Sequence, residues 1–125
     1  MREEWLDCNG MELCICSWGD PGGKPVVILH GLKDQGAAWG PVARILAREG
    51  YHVIAPDQRG HGRSAHVPAL THYHFPDYVA DLACLLERKC VEPALLVGHS
   101  MGGTVASIHA ALSRPVGPLV LVEGL

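Results

Sequence analysis

The chain has 125 residues, a formal net charge of −3, 48% apolar residues and 18% charged residues. That is one domain's worth of sequence with ample apolar material for a buried core, which excludes a disordered chain. The mild negative charge is spread without a basic stripe, so nucleic acid is not expected as a partner.

Taken in chain order, residues 4–8 and 12–17 read as strands flanking Asn9-Gly10, a dipeptide suited to the positive φ angles of a tight hairpin. Gly19-Asp20-Pro21-Gly22-Gly23 is a loop. The Lys24 after it does not make a phosphate loop, because Pro25 and a strand follow where such a loop must open a helix. Val26-Val27-Ile28-Leu29 is a continuous apolar run of the kind a strand buried on both faces requires. Trp39, Val42, Ala43 and Leu46 recur at i, i+3, i+4 and i+7 and predict an amphipathic helix ended by Gly50. Residues 51–55 form the next strand, closed by Pro56, and 57–71 form a loop rich in Gly, His and Arg.

A helix over 76–89 buries Leu82, Leu85 and Leu86, with Pro76 and Asp77 suited to its first turn. A strand at 94–97, a small-residue helix at 102–112 and a strand at 119–122 complete the series. This alternation predicts an α/β fold, a mostly parallel sheet with an N-terminal antiparallel hairpin and helices on both faces. No apolar run is long enough to span a bilayer. Met1-Arg2-Glu3-Glu4-Trp5 puts acids where a secretion signal carries basic and then apolar residues. A cytoplasmic chain with no membrane partner is expected. Cys8, Cys14, Cys16, Cys84 and Cys90 match no zinc or redox spacing and read as buried free thiols. His72-x-His74 lacks a second pair at ligand spacing, so no metal and no cofactor are expected.

Gly98-His99-Ser100-Met101-Gly102 fits G-x-S-x-G, follows an apolar strand and opens a helix. A serine on so sharp a turn needs unusual backbone angles, and the crowded flanking positions must lack side chains. The helix that follows points its positive end at the serine, where a developing oxyanion gains from it. Two further segments accompany this turn, His30-Gly31-Leu32 at the end of one strand and Asp57-Gln58-Arg59-Gly60-His61-Gly62-Arg63-Ser64 after the next. Together, in this order and spacing, they resemble the α/β-hydrolase superfamily, in the branch of serine esterases and thioesterases. The resemblance runs from about Trp5 to Glu123.

The resemblance implies that Ser100 is the nucleophile and that the backbone amides of Leu32 and Met101 form the oxyanion hole. His30 and His99 are implied to orient loops, Asp57 and Arg59 to pin the loop after their strand, and His61 to carry no chemistry. The acid of such enzymes usually follows a later strand. A minority place it at the end of the strand after the nucleophile helix, where Glu123 stands. That placement is similar to the chain-releasing thioesterases of some polyketide pathways. It points to an acyl-carrier or coenzyme A thioester, beside a simple ester, as the small-molecule partner.

A serine needs a base, and in this fold the histidine comes after the acid. No histidine follows Glu123, and His109 lies well over 10 Å along its helix from Ser100, at about 1.5 Å per residue. Residues 1–125 are therefore expected to be a partial domain, the N-terminal half of the fold, lacking the last strands, the cap and the base. Its open sheet edge predicts self-association or a complementary C-terminal half as partner. Epoxide hydrolases and haloalkane dehalogenases share the fold but use a carboxylate where Ser100 stands. Cofactor-free haloperoxidases and hydroxynitrile lyases use a serine there and stay open. The competing expectations are a non-catalytic remnant that binds acyl groups or a partner chain, and a truncated gene product.

Overall fold

Asn9 and Gly10, at φ 55° and 79°, turn the chain between strands β1 (Arg2–Cys8) and β2 (Met11–Trp18), with Cys8 opposite Met11. The dipeptide thus makes the hairpin its left-handed preference predicts. The computed structural model describes residues 1–113 and 116–123. Strands β3 (Lys24–Leu29), β4 (Tyr51–Pro56), β5 (Leu95–His99) and β6 (Leu119–Val122) complete one six-stranded sheet of order β1-β2-β4-β3-β5-β6. β2 meets β4 antiparallel, whereas β4, β3, β5 and β6 run parallel.

The β-branched run of β3 takes the central place it needs, with Val26, Val27 and Ile28 fully buried. Helix α1 (Gly40–Arg48) covers one face, its Ala43 buried with Trp18, Val26, Ile28 and Val53 of the sheet. Helices α2 (Phe75–Lys89) and α3 (Met101–Leu112) cover the other, their Leu82, Leu85 and Val105 buried with Ile15, Val27 and Leu29 of the sheet. The expected α/β architecture is present, with helices on both faces.

Two local readings change. A single 3₁₀ turn, Gly36–Trp39, precedes α1, so Trp39 sits outside the α-helical grid that its spacing to Val42 suggests. The buried side of α1 is set by Ala43, with Leu46 and Ala47 packed beside it, and Val42 is 43% exposed. β5 also extends to His99, two residues past its expected end, so the chain leaves the sheet directly into the Ser100 turn.

The strand order fixes where a site can form. From β3 the chain moves to β4 on one side, and from β5 to β6 on the other. The carboxyl ends of adjacent β3 and β5 therefore flank a reversal of strand order, the position at which α/β sheets open a crevice. At the far side, β6 pairs with β5, and its four residues are 36–46% exposed.

Candidate active site

Ser100 links β5 to α3 at φ 51° and ψ −114°, a conformation that costs on the order of 1–3 kcal/mol outside glycine. What imposes it is the convergence of three backbones. A Cβ at Gly98 would stand 2.5 Å from Gly103 Cα and 2.6 Å from the Gly102 oxygen. One at Gly102 would stand 2.6 Å from the Leu29 carbonyl carbon and 2.7 Å from the His30 oxygen. Both positions must be glycine for β3, β5 and α3 to meet.

The Thr104 N–H closes the first helical bond on the Ser100 carbonyl at 3.1 Å. The preceding amides of Met101, Gly102 and Gly103 have no intrahelical acceptor and leave the positive end of α3 beside Ser100. Ser100 N–H donates to the Val122 carbonyl at 3.3 Å, which ties the turn to β6.

Leu32 leaves the tip of β3 and is followed by Lys33 at φ 64°, within a turn closed by Asp34 N–H on the Gly31 carbonyl at 3.2 Å. Leu32, Ser100 and Met101 line one cavity of about 370 Å³ together with Tyr73, Phe75 and Tyr78. A neighbouring cavity of similar size shares Leu32, Tyr73 and Tyr78 and adds Lys33, Asp34 and His61. A larger cavity of about 450 Å³ opens at the other end of β5, between the last turns of α2 and α3, remote from the serine turn.

The loop motif works as a brace. Asp57 accepts the Gly36 amide on Oδ1 at 2.7 Å and the Arg63 amide on Oδ2 at 3.0 Å. Ser64 Oγ accepts the Cys14 amide at 2.8 Å and donates to the Asp57 carbonyl, stitching the loop to β2. Arg59 grips Asp81 of α2 through two bonds of 2.6 and 2.8 Å in a largely buried pair, and that carboxylate pushes the guanidinium pKa up. His61 Nδ1 lies 3.0 Å from the Arg59 carbonyl.

His30 is fully buried. Its Nε2 accepts the Gln58 amide at 3.0 Å, so the proton sits on Nδ1, which donates to the Gly31 carbonyl at 2.7 Å. Burial holds its pKa below the usual range. This imidazole is a neutral bracket for the loop that carries Leu32.

Glu123 directly follows β6 at φ 51°, with an exposed carboxylate whose Oε2 is 3.7 Å from His99 Nε2. The Nδ1 of His99 is buried with no hydrogen-bond partner among the described residues. Among these residues no histidine is hydrogen-bonded to Ser100 Oγ. His109 is buried within α3, 3.4 Å from Ser113 Oγ, and its pKa is lowered by burial. His72 and His74 are exposed, and among the described residues no three His, Cys, Asp or Glu converge to hold a metal. All five cysteines are free. Burial pushes the Cys8 thiol up to about 12 and those of Cys16 and Cys90 to about 11, which keeps them protonated near neutral pH.

The structure thus brings Leu32, Ser100 and Met101 around one cavity and leaves Glu123 beside His99. Three aromatic linings, Tyr73, Phe75 and Tyr78, escaped the sequence reading. Their signal was concentration, since the whole chain holds three Tyr, one Phe and three Trp. Asp81 also escaped, an acid on the buried side of α2 beside Tyr78, Leu82 and Leu85.

Comparison with known proteins adds to this geometry. The family model described as alpha/beta hydrolase fold matches residues 24–124. Epoxide hydrolase A of Mycobacterium tuberculosis is 39% identical over 82% of this chain and 32% of its own length. The non-heme chloroperoxidase CPO-A1 of Kitasatospora aureofaciens is 39% identical over 76% of this chain and 33% of its own. Among solved structures, the thioesterase domain from the curacin biosynthetic pathway superposes with a TM-score of 0.93 at 42% identity, covering 99% of this chain and 46% of that domain. Epoxide hydrolase A from Mycobacterium thermoresistibile superposes at 0.88 with 32% identity, over 96% of this chain and 38% of its own. The chain spans about a third of the length of these curated relatives and under half of these solved chains. No described helix is long and apolar enough to cross a membrane.

Proposed function

The chain belongs to the alpha/beta hydrolase fold family, and on that premise we propose that it is the nucleophile-bearing half of a serine hydrolase acting on an ester or thioester. The observation that carries this reading is the strained Ser100 turn opening into a cavity it shares with Leu32 and Met101. In the proposed reaction Ser100 Oγ attacks the substrate carbonyl as a base takes its proton. The amides of Leu32 and Met101 hold the tetrahedral oxyanion. Collapse expels the alcohol or thiol, which takes the proton back from the base and leaves an acyl group on Ser100. Water, deprotonated by the same base, then attacks this ester, releases the acid and restores the serine. Glu123 orients the base, and the base itself is a histidine supplied from outside residues 1–125. The scheme calls on no cofactor.

The family relatives named for epoxide hydrolysis share this fold. A carboxylate is needed where Ser100 stands for that chemistry, and the serine favours acyl transfer. The likeness to the curacin thioesterase domain supports a thioester, carried by an acyl-carrier protein or coenzyme A. A second reading, a non-catalytic module that binds acyl groups or a partner chain, draws on the lack of a histidine at Ser100 Oγ among the described residues.

Labelling with a fluorophosphonate, with and without added imidazole as a surrogate base, separates the two. The hydrolase reading expects labelling that imidazole accelerates, that Ser100→Ala abolishes and that Glu123→Gln slows. No labelling under either condition sinks it in favour of the binding module, and labelling unchanged in Glu123→Gln removes the acid assignment alone.

A further inference from the structure

Among the described residues, the Ser100 cavity is lined by Leu32, Tyr73, Phe75, Tyr78, Ser100 and Met101, and none of these six carries an ionised side chain. Lys33 and Asp34 line the adjoining cavity, beyond the shared walls of Leu32 and the two tyrosines. From this arrangement we propose that the acyl group attached to the reacting carbonyl is neutral and apolar, and that Tyr73 and Phe75 are the residues that select it. The proposal rests on the catalytic reading of Ser100 and names its substrate class.

The aromatic wall is held in place before any ligand arrives. Tyr73 Oη accepts the Val67 amide at 3.1 Å, and its ring lies so close to Gly60 that a Cβ there would be 2.5 Å from Cε1. Tyr78 Oη donates to the Arg59 carbonyl at 3.1 Å, and the two tyrosine rings lie 6.3 Å apart at 30°. Burial raises the Tyr78 pKa, so the phenol stays neutral. Phe75, at the first position of α2, is 40% exposed, an aromatic surface at the cavity with no polar role of its own. A preformed slot of aromatic carbon rewards an apolar ligand at little ordering cost. A carboxylate in the same slot loses water and meets no cation among the described lining residues. At about 370 Å³ the space suits an acyl group.

Two measurements test this. The Ser100→Ala chain is titrated with neutral hexanamide and with anionic succinamate, followed by the Met101 methyl resonance. Hexanamide is expected to bind at least about tenfold more tightly, and Phe75→Arg to reduce or reverse that ratio. Equal affinities, or a preference for succinamate, overturn the proposal. In parallel the Ser100 chain with imidazole is exposed to an alkyl and a carboxyalkyl phosphonate bearing the same leaving group, and the alkyl reagent is expected to label faster. Equal labelling rates overturn the apolar slot while upholding the serine. Hexanamide binding with neither reagent labelling upholds the slot and overturns the catalytic reading.

Discussion

Gly98→Ala puts the site's construction under the most direct strain. The new methyl would lie 2.5 Å from Gly103 Cα, 2.6 Å from the Gly102 oxygen and 2.7 Å from Gly103 N, all backbone of α3. Carbon atoms rest at about 3.5–4.0 Å, so the start of α3 must retreat from β5 by about 1 Å. Overpacking of this kind costs about 1–3 kcal/mol, and the upper end applies because no side-chain rotation can relieve it. That is a large share of the roughly 5–15 kcal/mol that holds a domain of this size. The same retreat moves Ser100 against the Leu32 amide, and a misplacement near 1 Å costs on the order of 10²-fold in reactivity.

Urea denaturation followed by circular dichroism gives the stability change, and fluorophosphonate labelling with imidazole gives the reactivity. Gly22→Ala serves as the control, since its added methyl meets Asp20 Oδ1 at 3.4 Å, an ordinary contact. A Gly98→Ala chain within about 0.5 kcal/mol of the parent, the range of an innocuous surface change, and labelled at the parent rate would refute the reasoning.

Asp81→Ala strands the Arg59 guanidinium in a largely buried position and should destabilise by about 3–5 kcal/mol. The apolar pair Arg59→Met with Asp81→Leu should recover most of that loss in urea titrations, and a parent-like Asp81→Ala contradicts the brace. His30, His52 and His109 have pKa values lowered by burial, so below the ordinary value of 6.5 the unfolded chain takes up protons that the folded chain refuses. Stability is therefore full above that value and falls as acid is added. The urea midpoint should be lower at about pH 5.5 than at about pH 7.5, and an equal or higher acid midpoint is the contrary result. Val120→Lys with Val122→Lys charges one side of exposed β6 and should shift the chain from associated species toward monomer in sedimentation velocity. A parent that already sediments as a monomer removes that prediction.

Where local chemistry decides the conformation, the sequence was readable. Asn9-Gly10 selects its hairpin, the β-branched run of β3 selects the sheet centre, and Gly98 with Gly102 permits the turn at Ser100. The loop from Asp57 to Ser64 was expected to be structural, yet its purpose lies in partners distant in sequence. Asp57 holds the Gly36 amide, Ser64 holds that of Cys14, and Arg59 holds Asp81. Periodicity cannot express such pairings. Tyr73 and Phe75 were likewise hidden, because their arrival at the serine depends on the path of an irregular segment. Trp39 misled for a simpler reason, since the four-residue 3₁₀ turn Gly36–Trp39 breaks the helical spacing that its position imitates.

A crystal structure of the chain carrying a phosphonyl group on residue 100 measures the central geometry outright. The account predicts a phosphoryl oxygen about 2.7–3.1 Å from both the Leu32 and the Met101 nitrogen. An oxygen directed to solvent, or bonded to only one of those amides, would contradict it.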